Sequence, residues 1–126
     1  MDLWALAAVS AFNLVCSGTS WSRDLVKDAL FTKRDETPIV DTLRVDLQQG
    51  RWCMGDCTKT EPIYRVEATR ILLEYNKNDE LALERGIVVD RETGNYLNRN
   101  QMGDFVIIRT GECNAAPFTG FPKLRF

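Results

Sequence analysis

The sequence contains no histidine and only four cysteines among its 126 residues. The absence of histidine removes the most common general base and the Ser–His and Cys–His pairs of nucleophilic catalysis. The 16 basic and 18 acidic residues are interspersed and give a formal net charge of −2. Because no basic stripe is present, we expect no nucleic-acid partner.

Motifs for phosphate binding and catalysis are also lacking. The later glycines, such as Gly94 and Gly103, are spaced like turn residues and do not form a phosphate-binding loop. Carboxylates such as Glu67 and Glu84 lie on predicted strands, where such groups are usually solvated charges rather than an acid–base pair. We predict no catalytic residue, no cofactor and no metal, so an enzyme is disfavoured.

The N-terminal residues 1–20 have the composition of a secretory signal peptide. Residues 3–15 are apolar apart from Ser10 and Asn13, and small residues follow at 17, 18 and 20. The apolar run is shorter than the roughly 20 residues that span a membrane, so no integral segment is expected after removal. We predict a periplasmic or secreted protein. Asp2 departs from the positively charged N-terminal region that signal peptides usually have. If residues 1–20 are not a signal peptide, the alternative is a cytoplasmic protein.

Residues 21–40 are predicted to be a linker or a short helix. Leu25, Val26 and Leu30 fall near helical spacing, and Asp24 could cap the helix start. Pro38 ends this segment. The single β domain is then expected over residues 41–126.

The β domain is predicted from alternating apolar residues. Leu43, Val45 and Leu47 would share one buried face of a strand over residues 42–47. Residues 62–75 are rich in β-branched and aromatic types. Their apolar phase slips near Thr69 and Arg70, which indicates either a β-bulge there or a strand apolar on both faces.

Tight turns divide the rest of this domain. Gly94 and Asn95 tolerate positive φ and predict a hairpin turn, and residues 98–103 are predicted to be a polar turn region. Residues 105–109 form the last predicted strand. The fold class is therefore mostly β: an antiparallel meander of five or six strands, curled into a small sandwich or partial barrel, with a short N-terminal helix.

The cysteines predict a disulfide. If residues 1–20 are removed, Cys53, Cys57 and Cys113 remain. The favoured pair is Cys57–Cys113, and the alternatives are Cys53–Cys113 and the short closure Cys53–Cys57. A zinc site with Cys16 or an acidic fourth ligand is disfavoured without histidine, as is a redox pair with three intervening residues.

The C-terminal residues 115–126 are too apolar for a free tail. Two prolines and a glycine exclude a regular helix, and several aromatic residues follow. We predict that this segment wraps back and caps the open end of the sheet. The alternative is an aromatic patch for a protein partner.

Three motifs together resemble a group of small uncharacterised exported proteins of alphaproteobacteria. They are residues 51–57 (RWCMGDC), residues 89–96 (VDRETGNY) and residues 111–113 (GEC) with 118–122 (FTGFP) and the final Phe126. The resemblance spans about Thr42 to Phe126. It implies export but no activity, substrate or site residue.

The function expected from the sequence is a small exported, non-enzymatic accessory or binding module. One alternative is a small inhibitor or envelope-stress protein that presents a loop, residues 91–95 or 98–103, to a protein partner. The other is an enzyme that uses carboxylates or a cysteine-bound metal. Purified protein that contains stoichiometric zinc would favour the last of these.

Overall fold

Nine antiparallel strands form one sheet that curls into a half-barrel in the computed structural model, which describes residues 10–26, 35–81 and 83–122. The mostly β prediction is therefore confirmed, with more strands than expected. In chain order the strands are β1 Ala11–Asp24, β2 Thr37–Asp46, β3 Arg51–Met54, β4 Glu61–Pro62, β5 Arg65–Val66, β6 Arg70–Asn78, β7 Leu83–Asp90, β8 Asn95–Met102 and β9 Phe105–Ala116.

The two edge strands of the sheet are neighbours in the chain. The spatial order is β4-β3-β2-β1-β9-β8-β7-β6-β5, so only Ile63 and Tyr64 connect one edge to the other. Three trans peptide units reach at most about 11 Å, and the edges must therefore converge at this point. The Ile63 amide donates to the Gly50 carbonyl at 2.8 Å, and the Tyr64 amide donates to the Leu73 carbonyl at 3.2 Å.

The core fills one end of the half-barrel. Leu43 and Val45 are fully buried, which confirms the alternation predicted for β2. Side chains from both halves of the sheet complete this cluster: Leu14, Cys16, Trp52, Ile71, Leu73, Ile87, Val89, Tyr96 and Cys113. Burial of this apolar surface is the main stabilising contribution to the fold.

The first strand changes the predicted domain boundaries. β1 pairs with β2 on one side and with β9 on the other, so the β domain begins at residue 11 rather than 41. The prediction of a helix or linker from Trp21 is wrong at Trp21–Asp24, and the described residues contain no helix. Pairing of Trp21–Asp24 with β9 outweighs the weak helical spacing there. Residues 27–34 lie outside the described residues.

The leader proposed for residues 1–20 stays a prediction. Residues 1–9 lie outside the described part of the chain, and Ala11–Ser20 belong to the sheet in this structure.

The phase slip in residues 62–75 has a different cause from the predicted one. Residues 67–69 turn the chain from β5 into β6, and the bulge lies between Leu72 and Glu74. Leu73 follows Ile71 by two residues and is buried, and the bulge then places Tyr75 opposite the outward-facing Gly86. Ile71 and Leu73 therefore share the inner face, and Tyr75 does not.

One of the two predicted turns is confirmed and the other is wrong. The hairpin turn at residues 91–94 is confirmed, with Gly94 at φ 79°. The turn predicted at residues 98–103 is wrong, because Asn98–Met102 continue β8 and the chain turns only at Gly103, at φ 61°. The last predicted strand is present and extends to Ala116.

The disulfides are Cys16–Cys113 and Cys53–Cys57. The favoured pair Cys57–Cys113 is thus wrong, and the short closure is correct. Cys16 and Cys113 are register partners on the adjacent strands β1 and β9. By contrast, Cys53 lies on β3, three strand positions or about 14 Å from β9, and its disulfide holds Cys57 beside it, so neither is a neighbour of Cys113.

The C-terminal segment wraps back as predicted, but onto the outer face of β1 and β2 rather than over an open end. Asn13 donates to the Thr119 hydroxyl at 2.9 Å, and Arg44 donates to the Gly120 carbonyl at 3.2 Å. The rings of Phe118 and Phe121 meet edge to face. The capping prediction also includes residues 123–126, which lie outside the described residues.

Candidate functional site

The two ends of the half-barrel have inner faces of different chemistry. Along β8 the inward positions are Tyr96, Asn98 and Asn100, because they pair with the inward residues of β7. The same alternation places Arg109 of β9 and Arg85 of β7 on this face. The apolar core thus gives way to a polar wall toward the open end.

A cavity of about 320 Å³ lies against this wall. Its described lining comes from four strands: Trp52, Met54, Arg85, Ile87, Asn98, Asn100, Ile107 and Arg109. Apolar cavities with a few convergent polar groups are where proteins usually bind small ligands, and the mouth of a β-barrel is a common place for them.

A hydrogen-bonded network crosses the inside of the sheet beside the cavity. The Tyr96 hydroxyl donates to one oxygen of Asp41 at 2.9 Å, and Arg109 donates to the other at 2.9 Å. The side-chain amide of Asn98 donates to the Tyr96 hydroxyl at 3.1 Å. Because this bond uses the nitrogen of Asn98, its orientation is fixed.

The protonation state of Tyr96 holds this network together. Burial raises the pKa of the Tyr96 hydroxyl well above its usual range, and the nearby Asp41 carboxylate raises this pKa further. Tyr96 therefore keeps its proton and donates to Asp41. A tyrosinate there would place two negative oxygens side by side in a site where Tyr96 is only 3% exposed.

Two glycines leave room for this network. Gly111 pairs with Tyr96 on one side and with Gly18 on the other. The backbones of β1 and β9 approach so closely that a Cβ at Gly18 would overlap the Thr110 carbonyl oxygen, and a Cβ at Gly111 would overlap that of Ser17. No side chain therefore stands between Tyr96 and Asp41 at these positions.

Two polar atoms of the cavity residues have no hydrogen-bond partner among the described residues. They are the indole Nε1 of Trp52, a donor, and the Oδ1 of Asn100, an acceptor, and both are shielded from solvent. Leaving such a group unpaired costs about 1–3 kcal/mol, so folded proteins keep few of them. Both atoms belong to residues that line the same cavity, although neither atom is itself exposed to it.

The charges around the cavity are unequal. Arg109 is paired with Asp41, whereas Arg85 lies 3.5 Å from Glu74, beyond a short hydrogen bond. Neither acid is among the described lining residues, which include the two arginines and no carboxylate. The two guanidinium groups of the lining are thus neutralised to different degrees by carboxylates just outside it.

The cysteines singled out in the sequence have structural positions. Cys53 and Cys57 line an adjoining cavity of about 420 Å³ that shares Trp52, Met54 and Arg85 with the first. Cys113 belongs to the core. All three sulfurs are in disulfides and offer no thiolate to a metal, and the part of the chain described here has no group of three metal-ligating side chains.

The two carboxylates weighed for catalysis are not brought together. Glu67 pairs with Arg70 at 2.6 Å at the start of β6. Glu84 pairs with Arg99 at 3.4 Å and is the register partner of Lys77, near the other end of β6. Both are therefore tied to arginines at separate places on the sheet.

Sequence reasoning missed the polar residues of the cavity wall. Asn98 and Asn100 were interpreted as turn residues because polar clusters usually mark turns. Tyr96, Asn98 and Asn100 are spaced two residues apart, and this spacing would have predicted that they share one face of a strand. Asp41, Trp52 and Arg109 carry no comparable pattern.

In the described residues, no helix is long and apolar enough to cross a membrane. Comparison with family models, with curated proteins and with solved structures finds no match for this chain.

Proposed function

We propose that this protein is a small non-enzymatic binding module of the periplasm or the extracellular space, which takes a small molecule into the open end of its half-barrel. The observation that carries the proposal is the unpaired donor of Trp52 and the unpaired acceptor of Asn100 on one cavity. A ligand with a complementary acceptor and donor would satisfy both atoms once the two side chains turn them toward the cavity.

The architecture of the wall supports a binding role. Asn98 and Arg109 are held by the network through Tyr96 and Asp41, so their orientation is set before a ligand arrives. Preorganised polar groups lower the entropic cost of binding. The Cys53–Cys57 disulfide closes the loop that follows β3, where Trp52 and Met54 lie.

The compartment is supported by the oxidised cysteines. Disulfides persist in oxidising, extracytoplasmic environments and are rare in the cytosol. The resemblance to exported alphaproteobacterial proteins points the same way, whereas residues 1–20 add no support, because Ala11–Ser20 belong to a central strand. Since Cys16 lies within those residues and is bonded to Cys113, we expect the functional protein to keep β1.

The proposal is tested by NMR titration of ¹⁵N-labelled protein with a set of small neutral and charged compounds. We expect at least one compound to shift the indole N–H signal of Trp52, assigned by Trp52→Phe. The indole signal of Trp21, which lies on the outer side of β1, is the internal control. If no compound moves the Trp52 signal selectively, the cavity is not a binding site.

A second candidate is the presentation of residues 91–94 to a protein partner. Asp90 accepts hydrogen bonds from the amides of Glu92 and Thr93, at 2.8 and 2.9 Å, and the Cys113 amide binds the Gly94 carbonyl at 2.7 Å. This exposed turn is therefore held in one conformation. Cross-linking from position 92 in periplasmic extract, with position 48 as the control, would reveal such a partner. The other loop considered, residues 98–103, is not available for this role, because Asn98–Met102 belong to β8.

A further inference from the structure

We infer that the ligand of the cavity is a small organic carboxylate with an apolar body and one N–H or O–H donor. This inference rests on the proposed function and deepens it. It follows from three properties of the lining: its charge, its unpaired polar atoms and its apolar side chains.

The charge of the lining selects an anion. Arg85 and Arg109 line the cavity, and no described lining residue is acidic. Of the two, Arg109 already donates to Asp41 at 2.9 Å, which leaves its other N–H groups as donors. The Arg85 side chain is about half exposed and has only a loose ion pair with Glu74 at 3.5 Å.

Arg85 is therefore the cation with the weaker carboxylate pairing, and it is the one that we infer turns to a ligand. A guanidinium matches the two oxygens of a carboxylate in a planar, bidentate arrangement. Exchanging this loose pair for a bidentate contact at the cavity costs little on the side of Arg85, whose side chain is 53% exposed, because exposed ion pairs contribute little stability.

The unpaired atoms define the rest of the polar pattern. Asn100 Oδ1 needs a donor, and Trp52 Nε1 needs an acceptor. A ligand with an amide or hydroxyl group beside its carboxylate supplies both, once the two side chains turn these shielded atoms toward it. A purely hydrocarbon acid would leave at least one of the two atoms unpaired.

The apolar lining and the volume limit the body of the ligand. Met54, Ile87 and Ile107 contribute the apolar part of the wall. The volume of about 320 Å³ lies at the small end of the usual range for ligand cavities. A branched aliphatic or single-ring acid fits this space, whereas a long fatty acid does not.

The test compares N-acetyl-leucine with its neutral analogue N-acetyl-leucinamide by isothermal titration calorimetry on the full chain. The two probes share the apolar body, the amide donor and the amide acceptor, and they differ in the charge. We expect the acid to bind at least about tenfold more tightly, the effect of one charge-assisted hydrogen bond. The acid should also shift the Trp52 indole signal.

Variants assign the preference to Arg85. We expect Arg85→Gln to reduce the acid-over-amide preference to less than about threefold, and Glu74→Gln to keep or strengthen it because the competing carboxylate is gone. Arg51→Gln is the matched control, since Arg51 precedes Trp52 on β3 and faces the other side of the sheet. It should leave both affinities unchanged.

Equal binding of the two probes, or equal effects of Arg85→Gln and Arg51→Gln, would overturn the inference. The inference would also be overturned if neither probe bound while another compound shifted the Trp52 signal. In that case the proposed binding function would still stand. If no compound of either kind shifts that signal, the inference and the proposed function are both wrong.

Discussion

At the scale of single residues, Tyr96 connects the core to the cavity. Its ring belongs to the buried cluster, and its hydroxyl joins Asp41 and Asn98. One side chain therefore both fills the core and orients the polar wall. A change at this position should affect stability in a way that depends on pH.

We predict that Tyr96→Phe lowers the free energy of unfolding by about 1–3 kcal/mol at pH 7, because a buried hydrogen bond to Asp41 is lost. Burial raises the folded-state pKa of Tyr96 above the value near 10 of an unfolded tyrosine. The stability that this residue contributes is thus complete below about pH 10 and decreases as the pH rises further.

The difference between wild type and Y96F should therefore shrink above about pH 10, by up to about 1.4 kcal/mol per pH unit. Urea denaturation between pH 7 and 11.5 measures this difference. Tyr64→Phe is the control, because Tyr64 is 52% exposed. A Y96F difference that stays constant over this range would show that Tyr96 is not held protonated by the fold.

The glycine pair under the network gives a second prediction at this scale. Gly18→Ala should destabilise the protein by more than about 3 kcal/mol or prevent folding, because the new Cβ meets backbone that cannot move aside. Gly86→Ala is the matched control on a neighbouring part of the sheet, with no atom within 4 Å of its Cβ. It should change stability by no more than about 0.5 kcal/mol. Thermal unfolding of the two variants compares them directly, and similar melting temperatures would contradict the close approach of β1 and β9.

At the scale of elements, β1 and β9 are the central pair of the sheet. They are distant in the chain but share twelve register pairs and the Cys16–Cys113 disulfide. The disulfide therefore closes a loop that includes nearly the whole domain. Cys53–Cys57, at the end of β3, closes a loop of only five residues.

We predict that the two disulfides contribute unequally to stability. In the chain-entropy model, a loop of about 100 residues is worth about 4.7 kcal/mol, and a five-residue loop about 2 kcal/mol. The double variant Cys16→Ser/Cys113→Ser should therefore lose more stability than Cys53→Ser/Cys57→Ser, as measured by guanidinium denaturation. A larger loss of stability in Cys53→Ser/Cys57→Ser would contradict this prediction, because it would make the short disulfide the main covalent constraint.

At the scale of the whole molecule, the fold depends on residues that the sequence places in a leader. β1 contributes the inward residues Leu14 and Cys16 and lies between β2 and β9. Removing residues 1–20 would take most of a central strand from the sheet and leave Cys113 without its partner.

We predict that protein isolated in its folded, oxidised form retains residues 11–24 and contains no free thiol. Non-reducing mass spectrometry with peptide mapping should find Cys16 linked to Cys113 and Cys53 linked to Cys57. Cleavage near residue 20 together with a Cys57–Cys113 link would contradict the arrangement described above. Protein with four free thiols would argue against an oxidising compartment.

The sequence by itself determined the class of the fold and its local elements. The alternation that buries Leu43 and Val45 and the hairpin turn with Gly94 at positive φ are properties of neighbouring residues, and both are confirmed, whereas Asn95 begins β8. Close spacing in the chain likewise allowed the Cys53–Cys57 closure to be considered.

Only the tertiary structure decided which distant segments meet. β1 became a strand because β2 and β9 flank it, and Cys16 met Cys113 because both occupy one register position. Asn98 and Asn100 became cavity residues because curling of the sheet turned their strand face inward. Such relations depend on long-range pairing and sheet curvature, which local periodicity does not encode.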